Sequence, residues 1–278
     1  MSESLNEIIK AALLGALQGL TEFLPVSSSG HLVLLHHLLD FSQSAIFFDV
    51  MLHLGTLGAV IVVYRKSIVD LVKASVSDTL KSLSTRQVSL AQRMVGLLII
   101  ATIPTGIIGL LLNDQINLFF DRPKAVALML MVTACLLQLP RLRSRKSDQL
   151  SCHDESELQI WHALLIGVVQ GLAVIPGISR SGATISTALL LGIRPALAAE
   201  FSFLLSIPAI LGAVVLKVSD ISVVGSPTII FVGISTSFLI GVIALRLLLS
   251  LINRARFFVF SYYCLLVAAL TFSSELCK

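Results

Sequence analysis

Apolar residues fall in long blocks separated by short polar stretches, with no period-two alternation. A helical crossing of a bilayer needs about 20 apolar residues. Blocks of that class cover roughly 5–24, 46–64, 94–112, 125–140, 158–175, 195–216, 226–249 and 257–275. Two further pieces, His31–Leu39 and Thr184–Gly192, span only ~14 Å as helix against a hydrocarbon core of ~30 Å. Each follows a cluster of Pro, Ser and Gly, at Leu24–Gly30 and Pro176–Gly182. Such a cluster breaks one helix and restarts another with serine at its cap. Both pieces therefore read as re-entrant half-helices.

Composition agrees with the pattern. Of 278 residues, 56% are apolar and 13% charged, with a mean hydropathy of +0.94. Soluble domains carry about 25% charge, and this chain lacks the polar surface to cover itself in water. A soluble enzyme, a disordered chain and a disulfide-stapled secreted scaffold are excluded. The reading is an all-α polytopic membrane protein.

The net charge of +4 does not point to nucleic acid, because the basic residues sit in loops between apolar blocks. Segments 65–93, 141–157 and 250–256 are rich in Lys and Arg, whereas 40–45, 113–124 and 217–225 are poor. The rich set should be cytoplasmic. The N-terminus carries Glu3 and Glu7 with only Lys10 as a base, the wrong start for a cleavable signal peptide. Cys135, Cys152, Cys264 and Cys277 show no C-x-x-C spacing, so neither zinc nor a disulfide framework is expected.

The chain also repeats itself. Shifted by 152 positions, residues 11–30 lie over 163–182 without a gap, and nine of twenty positions are identical. The matches include Gln18/Gln170, Gly19/Gly171, Ser27/Ser179, Ser29/Ser181 and Gly30/Gly182, which apolar bias does not explain. The charge pattern gives the two copies opposite senses. The expectation is one membrane domain over 1–278: repeat one 1–140, a cytoplasmic linker 141–157 and repeat two 158–278. Together the copies form an inverted-topology repeat of two re-entrant helix hairpins, whose broken tips meet near the midplane, with both termini outside.

Polar residues inside such segments are functional candidates. The first copy offers Gln18, Glu22, Ser27, Ser28, Ser29 and His31; the second offers Ser179, Arg180, Ser181 and Thr184. Glu22 faces Val174 across the repeat, Ser28 faces Arg180 and His31 faces Ala183, a division of labour that a structural duplication would not need. Each break opens a helix N-terminus with free N–H groups around Ser27–Gly30 and Ser179–Gly182, a ready anion site. Arg180 adds a planar donor suited to phosphate. Gln18 and Glu22, four apart on one helix face, could hold a divalent cation through oxygen. His31 is a nucleophile or general acid, and Ser28 is the hydroxyl alternative. Asp49, His53 and Glu200 read as a second shell, Trp161 and His162 as an interface pair, and His36 and His37 receive no role.

At these residues the chain resembles a known family. QGLTEFLPVSSSGH (18–31) and PGISRSGAT (176–184) look like the two signature motifs of the bacterial undecaprenyl-diphosphate phosphatases of the bacitracin-resistance type. FDVMLHLGT (48–56) and EFSFLLSIP (200–208) are similar to the flanking segments. The resemblance implies an integral hydrolase of the bacterial plasma (inner) membrane that removes the terminal phosphate of a polyprenyl diphosphate lipid. The monophosphate carrier would serve peptidoglycan and cell-wall synthesis. It further implies a Mg²⁺ or Ca²⁺ requirement, a site open to the periplasm or outer face, and functional roles for Glu22, Ser28, His31, Ser179, Arg180 and Thr184. Gln18 departs from the pattern, since that position is often Glu in the family.

The expected chemistry is attack on the terminal phosphorus by His31, Ser28 or water, with Arg180, the backbone N–H groups and the metal holding the phosphate oxygens. The rival is a transporter or polyprenyl-phosphate flippase, because inverted repeats with broken helices also describe transporters. The sequence leaves a homo-oligomer open.

Overall fold

A computed structural model describes residues 2–39, 45–85, 89–120, 122–146, 158–217, 226–252 and 257–276. Eleven helices are described, and no strand occurs among these residues. They are α1 (Ser2–Phe23), α2 (Ser28–Leu39), α3 (Ala45–Val63), α4 (Arg65–Thr85), α5 (Leu90–Phe120) and α6 (Pro123–Lys146). The second half supplies α7 (Ile160–Leu172), α8 (Arg180–Leu190), α9 (Pro195–Lys217), α10 (Pro227–Ile252) and α11 (Phe260–Leu276), the last preceded by a 3₁₀ turn at Phe257–Val259.

Five of these helices are long and apolar enough to cross a membrane, within α5, α6, α9, α10 and the Phe257–Ser274 segment. Counting the bent pair α3–α4 as one span gives six. Eight full crossings were expected, so two blocks differ. The block at 158–175 stops at Leu172 as a helix of 13 residues, because the second break begins there. The block at 5–24 is helical, but Glu7, Lys10 and Glu22 interrupt its apolar character. Segment 65–93 is not a loop: it holds α4 and the start of α5. Likewise α5 runs through Phe120 and α6 to Lys146, so the loops expected at 113–124 and 141–157 are shorter. Residues 147–157 lie outside the described set.

Helix pairing is reciprocal between the halves. Helix α1 packs along α10, and α7, which matches α1 in sequence, packs along α5. Helix α3 also packs on α10, and α9 on α5. Small residues permit these approaches. A Cβ on Gly15 would meet the Gly233 carbonyl at 2.5 Å, and one on Gly167 would meet the Ala101 carbonyl at 2.2 Å. Hydroxyls then tie helix to helix: Thr105 Oγ1 donates to the Gly167 carbonyl at 2.8 Å, and Ser237 Oγ to the Leu52 carbonyl at 2.8 Å. The main core includes Phe23, Phe201, Phe203 and Leu245. Leu110, Leu111, Val215, Phe231 and Leu270 are exposed on the outside, as lipid contact requires.

Candidate active site

The two breaks are built alike and touch. In the first, Ser27 caps α2, its Oγ accepting from Gly30 N at 3.2 Å. In the second, Ser179 caps α8, its Oγ accepting from Gly182 N at 3.0 Å. The Ser27/Ser29 and Ser179/Ser181 hydroxyl pairs lie 3.4 and 3.3 Å apart. Ser27 Oγ also accepts from Gly177 N at 3.1 Å, joining the breaks directly. Ser181 Oγ donates across to the Leu24 carbonyl at 3.4 Å. Ser27 adopts φ 68°, a left-handed conformation uncommon for a side-chain-bearing residue. Gly30 is small because Gly177 is there: a Cβ would meet Gly177 Cα at 3.1 Å. On α6, Thr133 secures the second break, its Oγ1 donating to the Gly177 carbonyl and accepting from Ser179 N.

Above the joined tips lies a cavity of about 220 Å³. Its polar wall is Glu22, Ser27, Ser28, Ser29, His53, Ser179 and Arg180, and its apolar wall includes Val50, Val174, Ile178 and Ile210. Glu22 is the hub. Its Oε1 accepts from Arg180 Nη2 at 2.7 Å, and its Oε2 from Ser28 Oγ at 2.5 Å and Gln18 Nε2 at 3.1 Å. The Glu22 and Arg180 side chains are 5% and 16% exposed. Opposite charge and hydrogen bonding make such burial tolerable, where either ion alone would be costly. Arg180 keeps further N–H donors beyond the one given to Glu22.

Other residues fall where the sequence did not put them. His31 does not line this cavity. A carbonyl only accepts, so His31 Nδ1 donates to the Ser27 carbonyl at 2.8 Å, which leaves Nε2 to accept from Tyr263 Oη at 2.9 Å. The Tyr263 ring stacks on it. His31 is thus turned to α11, one turn past the break, and both its nitrogens are engaged. Thr184 is buried, hydrogen-bonded to the Arg180 carbonyl at 2.8 Å and to the Ser202 hydroxyl. It holds the first turn of α8 rather than the cavity wall. Gly30, Ser181 and Gly182 also stand behind the wall, shaping the tips.

His53 stands closer to Glu22 than the sequence suggested. Its Nδ1 donates to the Asp49 carbonyl at 2.7 Å, and its Nε2 lies 3.5 Å from Glu22 Oε2 on the cavity wall. The available signal was its i, i+4 spacing from Asp49 within an apolar helix. Asp49 in turn has a partner, His36, at 2.8 Å. Trp161 is exposed, but His162 is buried and accepts from Gln159 N at the start of α7, a structural duty. Cys264 is buried and Cys135 exposed, so only the first packs inside.

Among the described residues no three His, Cys, Asp or Glu side chains gather into a metal cage. Gln18 Oε1, however, is buried without a partner beside Glu22, because the amide turns its N–H to the carboxylate. Gln18 does not line the cavity; with its amide turned over, its oxygen and the Glu22 carboxylate would be the oxygen donors open to a cation such as Mg²⁺.

A family model described as bacitracin resistance protein BacA matches residues 11–270. The chain belongs to this family. Undecaprenyl-diphosphatases are among its relatives. Those of Alkaliphilus metalliredigens and Desulfosudis oleivorans are 43% identical over 262 residues (91% of this chain, 94% of theirs) and 42% over 276 residues (95% and 97%). That of Methanosphaera stadtmanae is 40% identical over 273 residues (95% and 97%). The matched range of the BacA model takes in both breaks and every residue of the cavity wall.

Proposed function

We propose that the chain is an undecaprenyl-diphosphate phosphatase, converting the diphosphate lipid to the monophosphate carrier and inorganic phosphate and so conferring bacitracin resistance. Membership of the BacA family and the names of its relatives support the activity. One geometric observation carries the mechanism: a serine hydroxyl, a carboxylate and a guanidinium meet in one cavity at two joined helix breaks.

Ser28 is the nucleophile and Glu22 its base. As Ser28 Oγ attacks the terminal phosphorus, its proton passes through Glu22 to the bridging oxygen. The bond from that oxygen to the terminal phosphorus breaks, and undecaprenyl phosphate leaves with the electron pair. Water then attacks the phosphoserine, its proton returning through Glu22 to Ser28 Oγ as inorganic phosphate departs. Arg180 and the N–H groups that the Ser27 and Ser179 caps leave over at the starts of α2 and α8 face the phosphate oxygens and offset the charge that develops there. A phosphoryl transfer of this kind is governed by such placement. His31 serves by fixing the α2 tip against Tyr263, and Thr184 by fixing Arg180. Gln18 and Glu22 would hold a Mg²⁺ or Ca²⁺ ion, which supplies further positive charge to the phosphate oxygens.

In the membrane, the two halves form an inverted repeat with the joined breaks near the midplane. The lipid tail leaves past the apolar wall. The protein resides in the bacterial plasma membrane, its basic segments cytoplasmic and its cavity open to the outer face. A transporter or flippase is not favoured, because the relatives are named as phosphatases. Purified protein in detergent tests the reading: it should release phosphate from undecaprenyl diphosphate without a second compartment, which transport alone could not do.

A further inference from the structure

Where α3 ends, at Tyr64, the chain turns sharply: Arg65–Val76 runs at 79° to Phe47–Val63. Membrane helices tilt on average by about 20° from the bilayer normal. If α3 crosses the bilayer, α4 therefore starts close to the membrane plane, at the end of a span.

Helix α4 presents three distinct faces, as 100° per residue dictates. Leu71 and Ala74 face the protein. Ala74 is buried, its carbonyl accepts from Gln92 Nε2 at 3.4 Å, and Leu71 packs on the main core. Val69, Val72 and Val76 form an outward stripe, 48%, 57% and 70% exposed. Lys66 and Lys73, seven apart and both exposed, form a second stripe beside it. Over Arg65–Val76, three basic residues (Arg65, Lys66, Lys73) against Asp70 leave a net charge of +2. A basic stripe flanking an apolar one on a helix lying across the end of a span matches an interfacial amphipathic helix. The charge complements a layer of anionic headgroups.

We propose that α4 docks on anionic phospholipid, its valine stripe among the upper acyl chains and its Lys66/Lys73 stripe on headgroup phosphates. The docked helix fixes the depth of α3, which carries Val50 and His53 to the cavity. This inference does not depend on the phosphatase reading.

The test uses the full chain in nanodiscs of phosphatidylcholine with or without phosphatidylglycerol. Trp161 is the sole tryptophan, so Val72→Trp in a Trp161→Phe background reports on the stripe alone. Val69→Trp reads the same face if the first variant misfolds. Blue-shifted emission, quenching by lipids brominated near the headgroup and several-fold protection from acrylamide are expected. Emission and acrylamide quenching like those of a tryptophan in water would overturn the proposal. Protection that persists in detergent and disappears on dilution would indicate a second protein copy and overturn it as well. Native mass spectrometry should show phosphatidylglycerol retained over phosphatidylcholine. The Lys66→Gln/Lys73→Gln pair should reduce that preference by about fivefold per lysine. An unchanged preference would contradict the headgroup contact.

Discussion

Glu22 Oε1 and Arg180 Nη2 lie 2.7 Å apart, although 158 residues separate them in the chain. The bond joins the end of α1 to the first residue of α8, so each half of the chain is incomplete without the other. In the proposed mechanism Arg180 holds a carboxylate with one nitrogen while offering others to phosphate. A lysine is a compact point charge and cannot do both in a fixed geometry. Arg180→Lys is expected to lower kcat/KM by about 10²-fold or more, measured as phosphate release. Hydrolysis near the unmodified rate would remove the guanidinium from the mechanism.

The proposed nucleophile, Ser28, can be trapped. Ser28 Oγ is hydrogen-bonded to Glu22 on the cavity wall, whereas His31 is held between Ser27 and Tyr263 away from it. Rapid quenching with labelled substrate should give a phosphoenzyme stable to acid, with the label on the peptide that contains Ser28. An acid-labile phosphohistidine at His31 would contradict the assignment. Ser28→Ala should show no label.

The paired caps make a stability prediction. Ser27 and Ser179 are equivalent in sequence, and each caps a helix, but only Ser27 also accepts from the backbone of the other break. Loss of a cap costs about 1 kcal/mol, and an orphaned buried N–H adds about 1–3 kcal/mol. Ser27→Ala should therefore lower the melting midpoint in detergent clearly more than Ser179→Ala. Equal shifts would mean that the bond to Gly177 contributes nothing.

The cation prediction concerns Gln18 and Glu22. Chelation should stop phosphate release and added Mg²⁺ should restore it, and Gln18→Leu should raise the Mg²⁺ concentration needed for half-maximal rate. Unchanged turnover in chelator would discard the metal.

Much of this was legible in the sequence for a physical reason. A glycine-and-serine break inside an apolar block has few uses, and the shared offset of 152 positions showed that two such breaks belong together. Glu22 and Arg180 were readable because ionisable side chains are costly in lipid and need one another, and Ser28 because it faces Arg180 across the repeat. Side-chain direction was not readable. His31 lies one turn along α2, and that rotation points it at Tyr263 rather than at the cavity. Ser27 and Ser179 line the cavity and also cap α2 and α8; what spacing does not reveal is that Ser27 Oγ accepts from Gly177 N of the other break as well. His53 was undervalued because nothing in the sequence places α3 against α1. Helix α4 passed for a loop because its charges masked an apolar stripe only three valines long.

The central claim is that Glu22, Ser28 and Arg180 act as one catalytic unit on a polyprenyl diphosphate. Residues that work as a unit are strongly non-additive. The most direct measurement is kcat/KM for phosphate release by Ser28→Ala, Arg180→Ala and the double variant, each shown to be folded by its melting curve. The double variant should be no slower than the worse single variant. Losses that multiply would mean that the two residues act independently, and the shared centre would be refuted.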